Sequence, residues 1–359
     1  MRGKVYISDE GFGPIVRQHA IISELRRIDP SLDFTVQTET HIEQVRRIMP
    51  DLQTISKFNN ISWAKAADGT PDIPAIQNLF QHYEIRSKLY IASELLDNEA
   101  DFIISDFVYE AFEVGEQKKI PSFGVAHFTW DWFFSKLYPL PITTSVLDRF
   151  FRQAALAKRI YFPPFTPPEI KRYYKDIATE VPLIVRKNIK HKTVSTAGKF
   201  NVLLIDSGAG VLEKSILKAL SFIGLIDDCH FYVSSSFNCS LPNVTLIDKN
   251  ELFINYISDM DLVIGRAGFN TISECIAMRT PMLLLSEGMN PEMNENMIAI
   301  KNEGLGSFIS IKQFEEELHQ YLPRFIKNEY KQVHYNMQNH AYTTNGAEVI
   351  AADILNRLS

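Results

Sequence analysis

One arrangement occurs twice in the 359-residue chain and restricts its fold more than any other. Lys4-Val5-Tyr6-Ile7-Ser8 predicts a short buried strand and Gly11-Phe12-Gly13 a turn. Residues 14–28 follow with Ile15, Ile22 and Leu25 on one side of a helix. The plan returns at Val202-Leu203-Leu204-Ile205, with a glycine turn at Ser207-Gly208-Ala209-Gly210 and a helix over 211–222. Strand, glycine turn, helix is how a doubly wound α/β domain begins. Two such starts predict two of them in tandem, and the length suits two domains of roughly 100–200 residues each.

The interior of each half agrees. Phe34-Thr35-Val36, Phe102-Ile103-Ile104-Ser105 and Ser122-Phe123-Gly124-Val125 read as strands in the first half, with a helix over 76–97. Phe231-Tyr232-Val233, Asp261-Leu262-Val263-Ile264 and Pro281-Met282-Leu283-Leu284-Leu285 do so in the second. Short apolar runs between turn signals fit a parallel sheet covered on both faces. The expected division is a Rossmann-like domain over 1–180, a linker over 181–199, a second Rossmann-like domain over 200–345 and a final helix over 346–359. The proline run Pro163-Pro164-Phe165-Thr166-Pro167-Pro168 stands as the stiff start of the linker region. The basic stretch from Arg186 to Lys192 reads as solvated linker or as a contact for anionic lipid.

Composition excludes several classes. Hydrophobic residues make up 45% and charged residues 22%, which is too apolar for disorder. A net charge of −6 argues against a general nucleic-acid binder. Cys229, Cys239 and Cys275 are too few for a disulfide framework, so a reducing compartment is expected. The amino terminus does not read as a signal peptide, and no apolar run has the ~18 residues of a membrane span. The expected location is cytoplasmic, with room for contact at the inner face of a membrane.

The segment richest in chemistry is Asp261-Leu262-Val263-Ile264-Gly265-Arg266-Ala267-Gly268-Phe269-Asn270-Thr271-Ile272-Ser273-Glu274. A strand ends at Gly265 and a helix starts near Asn270 or Thr271, so helix N–H groups and dipole would make an anion site. Gly268 would let a phosphate reach the backbone, and Glu274, one turn in, can take a pair of ribose hydroxyls. Thr271 and Glu274 also have capping-box spacing, which needs no ligand.

This segment resembles the donor-site motif of GT-B glycosyltransferases. It is especially similar to the lipid II-forming N-acetylglucosaminyltransferase family and to the glycosyltransferase-like amino-terminal domain of L-arabinokinase. The likeness continues through Thr280-Pro281 to Ser286-Glu287, and through Pro291-Glu292-Met293-Asn294-Glu295-Asn296. It includes Gly11-Phe12-Gly13 with Arg17, Ser105-Asp106, His127 to Trp132, and Pro182 to Arg186. The resemblance implies two Rossmann-like domains facing each other across a cleft, with a nucleotide-sugar donor on the second and an acceptor on the first. The donor would be UDP-linked, and the transfer inverting and metal-independent. Ser207, Gly208 and Gly210 with the Gly268–Thr271 backbone would hold the diphosphate, Glu274 the ribose, and Glu292 and Asn296 the sugar. Arg266, in the donor turn, and Asn270 join this donor set.

Relatives carry a histidine after the first glycine turn as general base, and this chain has Pro14. The base must then come from elsewhere. Asp106 and His127 each follow a strand at its carboxyl end, where α/β ligands bind, and together they are the expected pair. Asp106 also reads as a turn residue and His127 as a loop histidine. Gly13, Arg17 and His19 are further candidates for the cleft, and Asp9 a weaker base. Arg17 and His19 also read as ordinary helix-surface residues.

Phe128, Trp130, Trp132, Phe133, Phe134 and Tyr138 form a dense aromatic group suited to a sugar ring, a hydrophobic acceptor or a membrane surface, or to core packing. Asp259-Met260-Asp261 reads as a helix end and strand start, and no metal or cofactor is expected. Nothing resembles a Walker loop, so no kinase is expected. The acceptor stays open between saccharide, lipid-linked and small-molecule classes, and the oligomeric state is open too. Rival functions are a nucleotide-sugar hydrolase or epimerase on the same fold, and a non-catalytic sugar-nucleotide-binding protein.

Overall fold

The computed structural model describes residues 1–9, 11–57, 64, 71–97, 99–137, 144–187, 189–206, 212–249, 251–286 and 288–359. Two compact units emerge, Met1–Arg186 with Thr344–Ser359, and Lys187–Thr343.

The first unit opens with β1 (Arg2–Ile7), α1 (Gly13–Ile28), β2 (Asp33–Thr38), α2 (Ile42–Ile48) and β3 (Gln53–Ser56). It continues with α3 (Ile73–Asp97), β4 (Phe102–Asp106), α4 (Glu110–Lys118), β5 (Ser122–Val125) and α5 (Trp130–Lys136). Next come α6 (Thr144–Ala154), β6 (Arg159–Phe162), α7 (Pro168–Tyr173) and β7 (Ala178–Glu180). Its seven strands run in the order β3-β2-β1-β4-β5-β6-β7, and every pairing is parallel. β4 and β5 are buried at every position, as strands covered on both faces must be. Pro14 sits in the first turn of α1, where its missing N–H costs nothing and its fixed φ suits the helix.

The second unit contains β8 (Phe200–Ile205), α8 (Glu213–Ile223), β9 (Cys229–Ser234), β10 (Val244–Ile247), α9 (Ile254–Ile257) and β11 (Leu262–Arg266). After these come α10 (Phe269–Met278), β12 (Met282–Ser286), α11 (Pro291–Asn302), β13 (Gly306–Ser310), α12 (Ile311–Asn328) and α13 (Tyr330–Asn339). Its six parallel strands are ordered β10-β9-β8-β11-β12-β13.

The last helix, α14 (Gly346–Leu358), belongs to the first unit. Its Ile350 and Ile354 are fully buried in one cluster with Ile15, Ile21 and Ile22 of α1. Tyr161 of β6 donates to Asp353 Oδ2 at 2.8 Å. Entry to α14 is tight: a Cβ on Gly346 would lie 2.2 Å from the Pro182 carbonyl oxygen, so only glycine passes.

Two boundaries differ from expectation. The stretch expected as linker splits: Val181, Leu183, Ile184 and Val185 are core of the first unit, and Ile184 bridges Asn345. Lys192 N–H instead donates to the Asn255 carbonyl, and Val194 and Ser195 N–H to Asp259, all within the second unit. The proline run is likewise no linker. Pro168 occupies the first turn of α7, and the Thr166 hydroxyl donates to the Pro163 carbonyl at 2.8 Å to close the turn after β6.

Among the described residues no helix is long and apolar enough to cross a membrane.

Candidate functional site

In both sheets the strand order reverses once, between β1 and β4 and between β8 and β11. Ligands of open parallel sheets bind outside the carboxyl ends of the strands at such a point. The expected site residues fall largely at these two places.

In the first unit Ile7 pairs with Asp106 at the ends of β1 and β4. Arg17, one turn into α1, meets Asp106 in a fork: Nε to Oδ2 at 2.9 Å and Nη2 to Oδ1 at 2.7 Å. Gln18 adds a third donor, Nε2 to Oδ2 at 3.0 Å. Arg17 is 1% exposed and Asp106 fully buried, so Arg17 is not the surface charge that helix position alone suggests. Its Nη1 reaches Nδ1 of His127, just past the end of β5, at 3.4 Å. The structure therefore unites Asp106, Arg17 and His127. Both Asp106 oxygens accept charge-assisted or amide hydrogen bonds, Oδ2 from two donors and Oδ1 from one.

The turn after β4 is strained to make this fit. Phe107 holds φ at 65°, a left-handed conformation uncommon for a bulky residue. Ser105 secures it, its hydroxyl donating to the Val108 carbonyl at 2.6 Å and accepting from Val108 N–H at 3.2 Å. Phe107 in turn packs against Arg17 and the ring of His127.

The other expected residues of this unit are placed differently. His19 is not brought to Asp106; burial and then the nearby Arg186 charge push its pKa down, against a smaller upward pull from Asp51. Asp9 is committed to the loop after β2, accepting from the Thr38 hydroxyl and from Glu39 and Thr40 N–H. Gly13 is the first residue of α1. Phe128, Trp130, Trp132, Phe133 and Phe134 are all buried in one core cluster, so they offer no face to a sugar or a membrane. Trp130 is pinned there, its indole donating to the Phe107 carbonyl and its backbone N–H to the Tyr109 hydroxyl. Tyr138 lies outside the described residues.

In the second unit Gly265 of β11 pairs with Ile205 of β8 at the reversal. Two glycines here have opposite reasons to exist. A Cβ on Gly265 would lie 2.9 Å from the Ile205 carbonyl oxygen, so packing demands glycine. Gly268 has φ −69°, open to any residue, and a Cβ there would meet nothing within 4 Å. The fold leaves space beside it. Gly268 is also the N-cap of α10 and supplies no side-chain cap, which corrects the capping-box alternative because Thr271 lies inside the helix. The amino end of this ten-residue helix, with its dipole, thus lies at a glycine turn.

Around that turn stand Arg266, 8% exposed at the end of β11, with half-buried Asn270, Thr271 and Glu274 on α10. Glu292 lies in the first turn of α11. Asn296 is 2% exposed, and its Nδ2 donates to the Ala267 carbonyl at 2.8 Å. It fastens the turn from behind instead of reaching a sugar directly. Ser207, Gly208 and Gly210 lie outside the described residues. Asp259 and Asp261 both hold backbone N–H groups of the chain entering β8.

Three residues at these sites escaped the sequence reading. Gln18 orients Asp106, Ser8 has a buried hydroxyl beside it without a hydrogen-bond partner among the described residues, and Asn290 caps α11 by accepting from Met293 N–H. Only the last has a sequence signal, an Asn directly before Pro291.

Residues 228–354 match the glycosyltransferase family 28 C-terminal domain. Over 116 residues the chain is 31% identical to the UDP-N-acetylglucosamine--N-acetylmuramyl-(pentapeptide) pyrophosphoryl-undecaprenol N-acetylglucosamine transferase of Thermosipho africanus (strain TCF52B). That match covers 31% of this chain and 35% of the relative, about a third of its length. Among solved structures the glycotransferase of kitacinnamycin is 13% identical with a TM-score of 0.71, covering 99% of this chain and 98% of its own. SsfS6, a glycosyltransferase of Streptomyces sp. SF2575 complexed with thymidine diphosphate, is 12% identical with a TM-score of 0.62, covering 99% of each. The two parallel-sheet units are those of the GT-B fold, and the second resembles the carboxyl-terminal domain of glycosyltransferase family 28.

Proposed function

We propose that the chain is a glycosyltransferase that moves a sugar from a nucleotide-sugar donor, uridine-linked in our reading, to an oxygen of an acceptor. The second unit takes the donor and the first the acceptor. The observation that carries this is the amino end of α10, where the N-cap is Gly268, a Cβ on it would meet nothing within 4 Å, and Arg266 stands at the end of the preceding strand.

In the reaction the acceptor oxygen attacks the anomeric carbon as the bond to the diphosphate breaks; the electron pair leaves on the diphosphate, and the proton of an acceptor hydroxyl passes to solvent water or to the departing diphosphate. A single displacement of this kind inverts configuration. The α10 dipole and the Arg266 guanidinium supply countercharge where negative charge grows, so the reading assigns no step to a metal. Glu274, one turn along α10, would take the ribose hydroxyls and Glu292 the sugar. Asn296 would act through the turn that it fastens. Ser207, Gly208 and Gly210 would complete the diphosphate cradle.

A panel of uridine- and thymidine-linked sugars, read by thermal stability, tests the donor site; the thymidine diphosphate held by SsfS6 makes that nucleotide the second to try. Donor at a hundred times its Kd stabilises by about 2.7 kcal/mol, and Glu274→Ala should abolish the shift. An unchanged shift in that variant overturns the assignment. Turnover should require an added acceptor. Free sugar without acceptor would instead make the chain a hydrolase, an isomerised intact donor an epimerase, and binding without turnover a binding protein.

A further inference from the structure

The transfer reading leaves open which side chain first receives the acceptor proton, and the loop after β2 bears on it. Asp9, just past β1, draws that loop onto the first glycine turn. Its carboxylate accepts from the Thr38 hydroxyl at 2.7 Å and from Glu39 and Thr40 N–H at 3.2 and 3.0 Å. Its carbonyl accepts Gly11 N–H at 3.0 Å and meets Nε2 of His41 at the same distance. A carbonyl oxygen only accepts, so Nε2 carries the hydrogen and donates it. Turning the ring over would set Cε1–H against the carbonyl. In the neutral ring Nδ1 is then the basic nitrogen.

The ring is held while Nδ1 stays available. It packs against Phe12 of the glycine turn, with centroids 5.1 Å apart and planes at 55°. His41 is the N-cap of α2, yet its side chain makes no cap hydrogen bond, so Nδ1 is not spent on the helix. Among the described residues the ring makes no hydrogen bond besides that to Asp9, and the residue is half-buried. Asp106, by contrast, is fully buried with both oxygens in hydrogen bonds. The turn Gly11-Phe12-Gly13-Pro14 itself carries no titratable side chain.

We propose that His41 is the general base of the transfer, taking the proton of an acceptor hydroxyl on Nδ1 while Nε2–H stays on the Asp9 carbonyl. As the acceptor oxygen bonds to the anomeric carbon, its O–H bond breaks and the proton joins the Nδ1 lone pair. The electron pair of the breaking sugar–diphosphate bond leaves on the diphosphate. The imidazolium so formed holds the Asp9 carbonyl by a stronger, charge-assisted hydrogen bond, and then hands its proton to solvent water. A carboxylate or phosphate acceptor is already ionised and needs no base, so the acceptor class assigned is a hydroxyl compound. The proposal rests on the reading of the first unit as the acceptor side.

Two measurements test it. Nitrogen-15 NMR of the full chain labelled at its nine histidines, with His41 assigned by the signal lost in His41→Gln, should show the Nε2–H tautomer once the ring is neutral. An Nδ1–H ring overturns the proposal, and this measurement needs no substrate. In turnover with a hydroxyl acceptor, His41→Gln keeps a side-chain N–H for the Asp9 carbonyl but supplies no base. Its kcat should fall by about 10²- to 10⁴-fold, with the acceptor KM and the donor-induced thermal shift little changed. A loss under about tenfold, or one confined to KM, overturns the proposal. No donor-induced shift in the unaltered protein defeats the transferase reading itself, whereas a shift together with an Nδ1–H ring defeats only the base.

Discussion

The Arg17–Asp106 pair allows a stability measurement whose size follows from its burial. Arg17 is 1% exposed and Asp106 fully buried, so Asp106→Leu strands a guanidinium out of water and Arg17→Met strands a carboxylate. Breaking one side of a buried pair costs about 3–5 kcal/mol. Removing both members costs far less, because two desolvation penalties vanish together. The double variant still deprives Gln18 Nε2 of its acceptor and His127 Nδ1 of its donor, at about 1 kcal/mol each, which leaves a net loss of about 2 kcal/mol at most. The cycle should therefore show a coupling of about 3 kcal/mol or more. Urea unfolding followed by tryptophan fluorescence reads the right unit, since Trp63, Trp130 and Trp132 are the three tryptophans of the chain and all fall within Met1–Arg186. With a slope of about 3 kcal/mol per molar, each single variant should move the midpoint by about 1 M or more. Single shifts under about 0.3 M, or a double variant equal to the sum of the singles, would refute the account of the pair as mutually neutralised in a dry site.

Two further outcomes follow from local geometry. Gly268→Asp gives α10 a side-chain cap and a favourable charge at its amino end, so stability should hold or rise by up to about 1 kcal/mol while nucleotide-sugar binding falls by more than tenfold, measured by calorimetry. Gly265→Ala should do the reverse, costing about 1–3 kcal/mol because its Cβ meets the Ile205 carbonyl. Glu169 accepts from the Trp132 indole at 2.9 Å and lies 3.0 Å from Lys136, and these partners hold its carboxyl down to about 2. Its folded pKa is depressed, so its stabilising effect is present above the ordinary value of 4.5 and fades as pH falls through about 2. The Trp132 indole N–H signal should titrate in that low range, and Glu169→Gln should remove the change.

The strand ends were legible because a parallel sheet covered on both faces writes its strands as short apolar runs, and the residue after each run is a candidate by position alone. Asp106, His127 and Arg266 were found that way. Arg17 was a candidate by its place after the first glycine turn, but its burial could not be read: its helix displays Ile15, Ile22 and Leu25 as the buried face, and only a carboxylate 89 residues away explains a buried cation beside them. Polar edge strands such as β3, Gln53-Thr54-Ile55-Ser56, left no run to read. The prolines at 163–168 misled because composition marks a stiff segment without saying whether it bridges units or turns within one. The aromatic group misled in the opposite direction, since density alone does not separate a binding face from a core.

The return of α14 to the first unit sets an order on synthesis. Lys187–Thr343 is continuous and can close its core as soon as it leaves the ribosome. The amino-terminal unit is made first yet must wait for residues 346–358 before Ile350 and Ile354 fill their places against α1. Until then that surface stays open to chaperones and proteases. A stop codon or bulky fusion near residue 345 would thus injure the part of the protein encoded farthest from it, costing about 2–5 kcal/mol for each buried isoleucine lost.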